Sequence, residues 1–293
     1  TQSTWGMGSR KSHQRRPSNP HHRPLKSNTK FKKACKGRRL PNDKSSNSDQ
    51  IVLNESLVEE IIHDEFLSTT KDSASPSRSF FLSEFQSANS VCLSSLELES
   101  IKETSFVDIP VDFSKLGRSK CVTLLGDFVK GFFGSRWKEE LCEGELLEGE
   151  VEKGSPSVIM LSTSATRTIE LLRGVRAMTN QCHGAKLFSK HVKVEEQISL
   201  LKKRVNFASG TPSRLKKLVD VEAVNLSRLK LLVIDIDEDV KGYSLLTLPQ
   251  VKKEFWELYV THFHQLLMEG IISICLFGSV PKGDVKRGKR KAR

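Results

Sequence analysis

The chain has 293 residues, a formal net charge of +12 and 37% hydrophobic content, which allows one large domain or two small ones with part of the length left outside as tail. No apolar run approaches the roughly 18 residues that cross a bilayer. The six cysteines, at 35, 92, 121, 142, 182 and 275, show no CxxC spacing, so composition argues against a membrane partner, a zinc site and a disulfide framework.

Charge divides the chain. Residues 1–42 hold twelve Lys/Arg and no Asp/Glu, and residues 282–293 hold seven Lys/Arg against Asp284, which leaves net −6 for residues 43–281. Basic arms of this kind are drawn to a polyanion by counterion release and also read as nuclear import signals. Residues 1–50 combine Ser, Asn, Pro, His and Lys/Arg with few large apolar side chains, and are expected to be a disordered basic tail. In the following stretch Leu57, Val58, Ile61, Ile62 and Phe66 recur at helical spacing against Glu55, Glu59, Glu60, Asp64 and Glu65, which predicts a short acidic amphipathic helix. It serves either a partner or the body of the fold. A Ser-rich break at 68–79 containing Ser75-Pro76 reads as a linker, so 51–104 is taken as acidic helix plus linker.

From Phe106 onward strand-like runs alternate with amphipathic segments, which predicts an α/β domain over 105–280 with a mainly parallel sheet flanked by helices, followed by a basic tail over 281–293. Strands are expected near 158–162, 185–188, 205–209, 229–235 and 271–277. Helices are expected near 121–133, 165–178, 195–203, 212–219 and 251–268.

The order of these elements suits nucleotide chemistry, and the residues do not. A phosphate-binding loop needs GxxxxGK[ST], whose lysine neutralises phosphate and whose hydroxyl holds magnesium. The nearest approach, Gly126 to Gly131, is followed by Phe132 and Phe133, which do neither, and Phe128, Phe132 and Phe133 read as the core face of a helix. At the acidic strand end, Asp235 stands where magnesium would be organised, but Ile236 takes the place of the carboxylate that orients water. Asp237 shares the side of Asp235, leaving a magnesium pair or a solvated cluster as alternatives. Only 14 residues follow Ser279, too few for a second lobe carrying an arginine finger. No catalytic residue, metal ligand, cofactor or small-molecule substrate is expected.

Two turns retain phosphate-facing character. In Gly210-Thr211-Pro212-Ser213-Arg214 a small polar residue precedes proline at the first helical position, so free N–H groups face outward, with Arg214, Lys216 and Lys217 adding charge. In Ser162 to Arg167 a strand runs into a helix whose first turn bears Thr163, Ser164 and Arg167. The candidate RNA contacts are therefore Thr163, Ser164, Arg167, Thr211, Arg214 and Lys216, all toward backbone phosphate and so with little sequence preference. Lys186, Lys190, His191 and Lys193 could extend that surface. Ordinary helix capping without a ligand explains either turn equally well.

With these residues in view, the body resembles the first RecA-like lobe of DEAD-box helicases. It is more similar to the Cms-one-type proteins of the small-subunit processome in the 90S pre-ribosome. The resemblance covers about 105–280 and rests on Phe106 to Phe113, Ser164-Ala165-Thr166-Arg167 with Glu170-Leu171, Lys186 to His191 with Glu195-Glu196-Gln197, and Gly210 to Arg214. Counted from the strand, the helicase arginine falls on Ser164; by residue type, it falls on Arg167. The resemblance implies a single, non-catalytic RecA-like lobe acting in early small-subunit assembly and pre-rRNA processing. It further implies a nuclear or nucleolar location, with pre-ribosomal RNA and assembly factors as partners. The rival expectations are an RNA-dependent ATPase or helicase with an unusual site, and a nuclear protein–protein adaptor.

Overall fold

A computed structural model describes residues 75–115, 118–141, 153–179 and 184–281. The tail at 1–50, the acidic helix at 51–67 and the C-terminal residues 282–293 lie outside the described residues.

Five strands form one wholly parallel sheet: β1 (Val158–Leu161), β2 (Ala185–Leu187), β3 (Phe207–Gly210), β4 (Leu231–Asp235) and β5 (Ser273–Phe277), in spatial order β2-β3-β1-β4-β5. Each lies within two residues of its predicted ends. β1, β3 and β4 are buried at every position, as strands covered by helices on both faces must be. Side-chain alternation splits the core in two. Ile159, Leu161, Ala208, Leu232, Ile234, Ile274 and Leu276 face one layer, and Val158, Met160, Phe207, Leu231, Val233, Cys275 and Phe277 face the other. Phe106 continues the sheet past β5 as a single parallel bridge to Ile274, with Val107 N–H donating to the Ile274 carbonyl at 2.9 Å.

The folded body begins earlier than the expected boundary at 105. Ser75-Pro76 starts helix α1 (Pro76–Asn89) instead of marking a linker. The Ser75 hydroxyl accepts from Arg78 N at 3.2 Å and Pro76 occupies the first turn, an arrangement that satisfies a free N–H and presets φ. Phe81, Leu82 and Phe85 then fall on one helical face and are buried. The Phe81 ring meets Phe106, Phe255, Trp256 and Tyr259 at 5.1 to 6.5 Å. A capping box at Ser94 and Glu97 opens the short helix α2 (Ser95–Ser100).

Helix α3 (Arg118–Phe133) contains the glycine pair that suggested a degenerate phosphate loop. The structure gives Gly126 another use. A Cβ there would lie 2.6 Å from the Gly174 carbonyl oxygen, and one at Gly174 would lie 2.2 Å from that of Val122. Two glycines therefore let α3 cross α5 (Ala165–Gly174) at backbone contact. Phe128 is buried as expected. Phe132 and Phe133 are only half-buried, stacked edge-on at 5.1 Å at the rim of the second layer. The short α4 (Trp137–Leu141) follows.

The remaining helices are α6 (Val194–Leu201), α7 (Pro212–Asp220), α8 (Pro249–Leu258) and α9 (His264–Met268). Two predicted helices depart from a plain α-helix. The one at 165–178 stops at Gly174 and finishes as a 3-10 turn, Arg176–Met178. The one at 251–268 is continuous from Pro249 to Met268 and contains a π turn at Tyr259–Phe263; Tyr259 and Phe263, four apart and so on one face, are both buried.

Candidate nucleic-acid interface at the C-terminal edge of the sheet

Because all five strands are parallel, their C-terminal ends share one edge. The β1 and β3 ends are neighbours there, with Leu161 paired to Gly210 and Ser162 N–H donating to the Gly210 carbonyl at 3.0 Å. The turn bearing Thr163 and Ser164 and the turn bearing Thr211 are thereby set side by side. Ser164 is the N-cap of α5, its hydroxyl accepting from Arg167 N at 3.3 Å. Thr211 caps α7 by backbone geometry, without a side-chain hydrogen bond. Thr163 and Thr211 are half-buried and Ser164 is exposed.

The three cationic candidates all have intramolecular partners, Arg167 and Arg214 in the interior and Lys216 at the surface. Arg167 is 6% exposed and donates from Nε and Nη2 to the two oxygens of Asp235 at 2.9 Å each. Its Nη1 reaches Glu170 at 3.2 Å, and Nη2 lies 3.4 Å from Asp237. This guanidinium also lies 5.9 Å from the centre of the Phe277 ring, against which Phe113 packs edge-on at 5.3 Å. The cation shared by Asp235 and Asp237 is therefore Arg167. Neither the magnesium pair nor the solvated cluster describes them. Burial pushes the Asp235 carboxyl up to about 6, with the Arg167 bonds pulling the other way. Burial alone would lower the pKa of Arg167, but Asp235, Glu170 and Asp237 more than offset it and hold the guanidinium charged.

Arg214 is buried too. Its Nη1 donates to the Val192 carbonyl at 3.1 Å and to Gln197 Oε1 at 2.7 Å. Lys216 bonds Asp220 at 2.9 Å and lies 3.7 Å from Glu257, and the Asp220 hydrogen bond raises its pKa. Spacing on the helices signals the pairs of Arg167 with Glu170 and of Lys216 with Asp220, but the bonds of Arg167 to Asp235 and of Arg214 to Gln197 have no local sign.

Gln197 was missed as a site residue, although it is 1% exposed and lies with Leu201 on the buried face of α6. A polar side chain at the buried position of an amphipathic segment was the available signal, because such a group must be hydrogen-bonded.

A family model, that of the CMS1 family, described as a U3-containing 90S pre-ribosomal complex subunit, matches residues 18–277. The chain belongs to the CMS1 family. Among CMS1-type relatives, human Protein CMSS1 is 36% identical over 153 residues, covering 51% of this chain and 52% of the relative. The Xenopus laevis protein is 35% identical over 147 residues, 49% and 53% of the two chains. Protein CMS1 of Chaetomium thermophilum is 32% identical over 126 residues, 42% and 47% of the two. The matched stretches thus span about half the length of the curated relatives. Solved structures similar to the chain include S. cerevisiae Dbp5 in a complex with ADP, at TM-score 0.36 and 14% identity, covering 68% of this chain and 45% of that one. A DEAD box protein from Methanococcus jannaschii gives TM-score 0.29 at 16% identity, with 65% and 49% covered.

Proposed function

We infer that this chain is a non-catalytic ribosome biogenesis factor, a single RecA-like lobe that binds RNA or pre-ribosomal particles during early small-subunit assembly and pre-rRNA processing. Its partners are pre-ribosomal RNA and small-subunit assembly factors, and its place is the nucleus and nucleolus. The observation that carries this reading is the family match across residues 18–277. It is supported by Arg167, which occupies Asp235 with two bonds of 2.9 Å. A carboxylate held that way is not free to organise a metal-bound nucleotide. The basic ends, outside the described residues, supply the long-range attraction to a polyanion.

Sedimentation of nucleolar extract tests the reading directly. The protein is expected to travel with large pre-ribosomal particles, and to be released from them by RNase or by raised salt. Recovery only as free protein would end it. The non-catalytic part has its own test: RNA-stimulated ATP turnover that disappears in Asp235→Ala would overturn it.

A further inference from the structure

The C-terminal edge of the sheet is electrically lopsided. Lys186 in β2 and Lys190, His191 and Lys193 after it belong to a segment, 186–193, with no carboxylate, whereas β4 ends at Asp235 and is followed by Asp237, Glu238 and Asp239, and Asp108 and Asp112 follow the Phe106 bridge. Lys186, Ser189, Lys190, His191 and Lys193 are exposed, while Leu187 and Phe188 are turned inward and buried. Among the described residues no carboxylate lies within ion-pair distance of Lys186, Lys190 or Lys193. Among the described residues some other cations, such as Lys130, Arg136, Lys216 and Lys252, have acidic partners and some, such as Lys202, Lys217 and Lys253, have no ion pair, so what marks this segment is four basic residues within eight positions.

This basic turn is held from beneath by buried bonds. Gln197 Nε2 donates to the Lys186 carbonyl at 2.7 Å and the Phe188 carbonyl at 3.1 Å. Gln197 Oε1 accepts from Arg214, which also donates to the Val192 carbonyl. Thr211 N–H donates to the Leu187 carbonyl at 3.0 Å. His191, at φ 62°, takes the left-handed conformation that turns the chain. An arginine and a glutamine, both nearly sealed from water, are thus committed to fixing the backbone of a surface turn. Each backbone carbonyl they satisfy lies within or next to the row of lysines.

We propose that the turn from Lys186 to Lys193 is an RNA-backbone contact, with Lys186, Lys190, His191 and Lys193 meeting phosphates and Arg214 and Gln197 acting as positioning residues beneath them. The proposal rests on the RNA-binding reading above and relocates its contacts from Arg167, Arg214 and Lys216 to the braced turn. RNA fits better than an acidic peptide because the exposed side chains of the turn are all polar. A peptide interface draws its affinity from buried aromatic or aliphatic anchors, and a phosphate backbone needs only point charges and donors. Pre-positioning matters because lysine side chains lose rotamer entropy on binding, and a fixed backbone removes a second ordering cost.

The test is binding of the full chain to a labelled single-stranded RNA across a salt series. Replacing Lys186, Lys190 and Lys193 together by Gln leaves the buried brace untouched. It is expected to flatten the slope of log affinity against log salt by about 2, since each single-strand phosphate contact contributes about 0.7. Arg214→Lys is expected to weaken affinity while leaving the slope unchanged, because the charges remain and only their placement is lost. Thermal unfolding of each variant checks that the fold is retained. If wild-type protein binds RNA with a salt slope that the triple variant shares, the contact is elsewhere and this inference fails while the parent reading stands. If wild-type protein shows no salt-dependent RNA binding, both fail. Unchanged RNA binding together with lost binding to poly-glutamate would also overturn it, in favour of an acidic protein partner.

Discussion

Arg167 shows how one side chain can change the meaning of a motif. As an exposed first-turn arginine it would be a phosphate contact; at 6% exposure, bonded twice to Asp235, it is a buried counter-ion. Removing one partner of such a pair leaves an uncompensated charge, so Arg167→Met is expected to cost about 3–5 kcal/mol. The double change Arg167→Met and Asp235→Leu should recover most of that loss, since desolvation offsets the attraction of a buried pair. Urea midpoints of the two variants check this, and equal losses in both would refute it. The pair also sets a pH dependence. The folded Asp235 carboxyl sits at about 6 against an ordinary 3.8, so the folded state binds this proton more tightly than the unfolded chain. Its contribution to stability is therefore full below 3.8 and lost as pH rises through about 6. Wild-type protein should lose more stability than the double variant over that window, as read from paired urea midpoints.

At the scale of elements, α1 is an integral wall of the core. Phe81 is fully buried among four aromatic rings, and Phe81→Ala is expected to destabilise the domain by about 3–5 kcal/mol. A near-neutral result in chemical denaturation would show α1 to be a detachable flank. The same helix carries a pH-sensitive contact. His264 stacks on Phe85 at 5.3 Å and its Nδ1 lies 3.0 Å from the Tyr259 hydroxyl. Burial lowers the His264 pKa below its ordinary 6.5, with Glu97 opposing. A depressed histidine stabilises the fold above 6.5, and that contribution is lost as pH falls below it. Replacing His264 by Gln should flatten the decline in stability between neutral and mildly acidic pH, which thermal unfolding at several pH values would show.

Over the whole molecule, charge is segregated twice: along the sequence basic ends flank an acidic stretch, and in the described fold the sheet edge runs from the lysines at and after β2 to the carboxylates after β4 and the Phe106 bridge. Such a field orients a polyanion as well as attracting it. Replacing Glu238 and Asp112 by their amides is expected to raise RNA affinity several-fold at low salt, with the gain vanishing as the Debye length shrinks to about 3 Å near 1 M. A gain that persists at high salt would mean a local contact and not a field.

The strand and helix periods were legible from residue order because they reflect which side chains are apolar, and that is a local property. The sequence also contained the charge asymmetry of the ends and the missing phosphate-binding lysine. Arg167 and Asp235, 68 positions apart, gave no local sign of their bond, and neither did Arg214 and Gln197, 17 apart. Ser75-Pro76 signals a turn and a helix start alike, so residue order does not tell a linker from the start of α1, and only Phe106 and the aromatic face of α8 settle which it is. Composition and spacing determined the kind of fold and where its charges lie along the chain. The tertiary structure decided which charges reach solvent, because burial and pairing depend on neighbours that chain folding alone brings together.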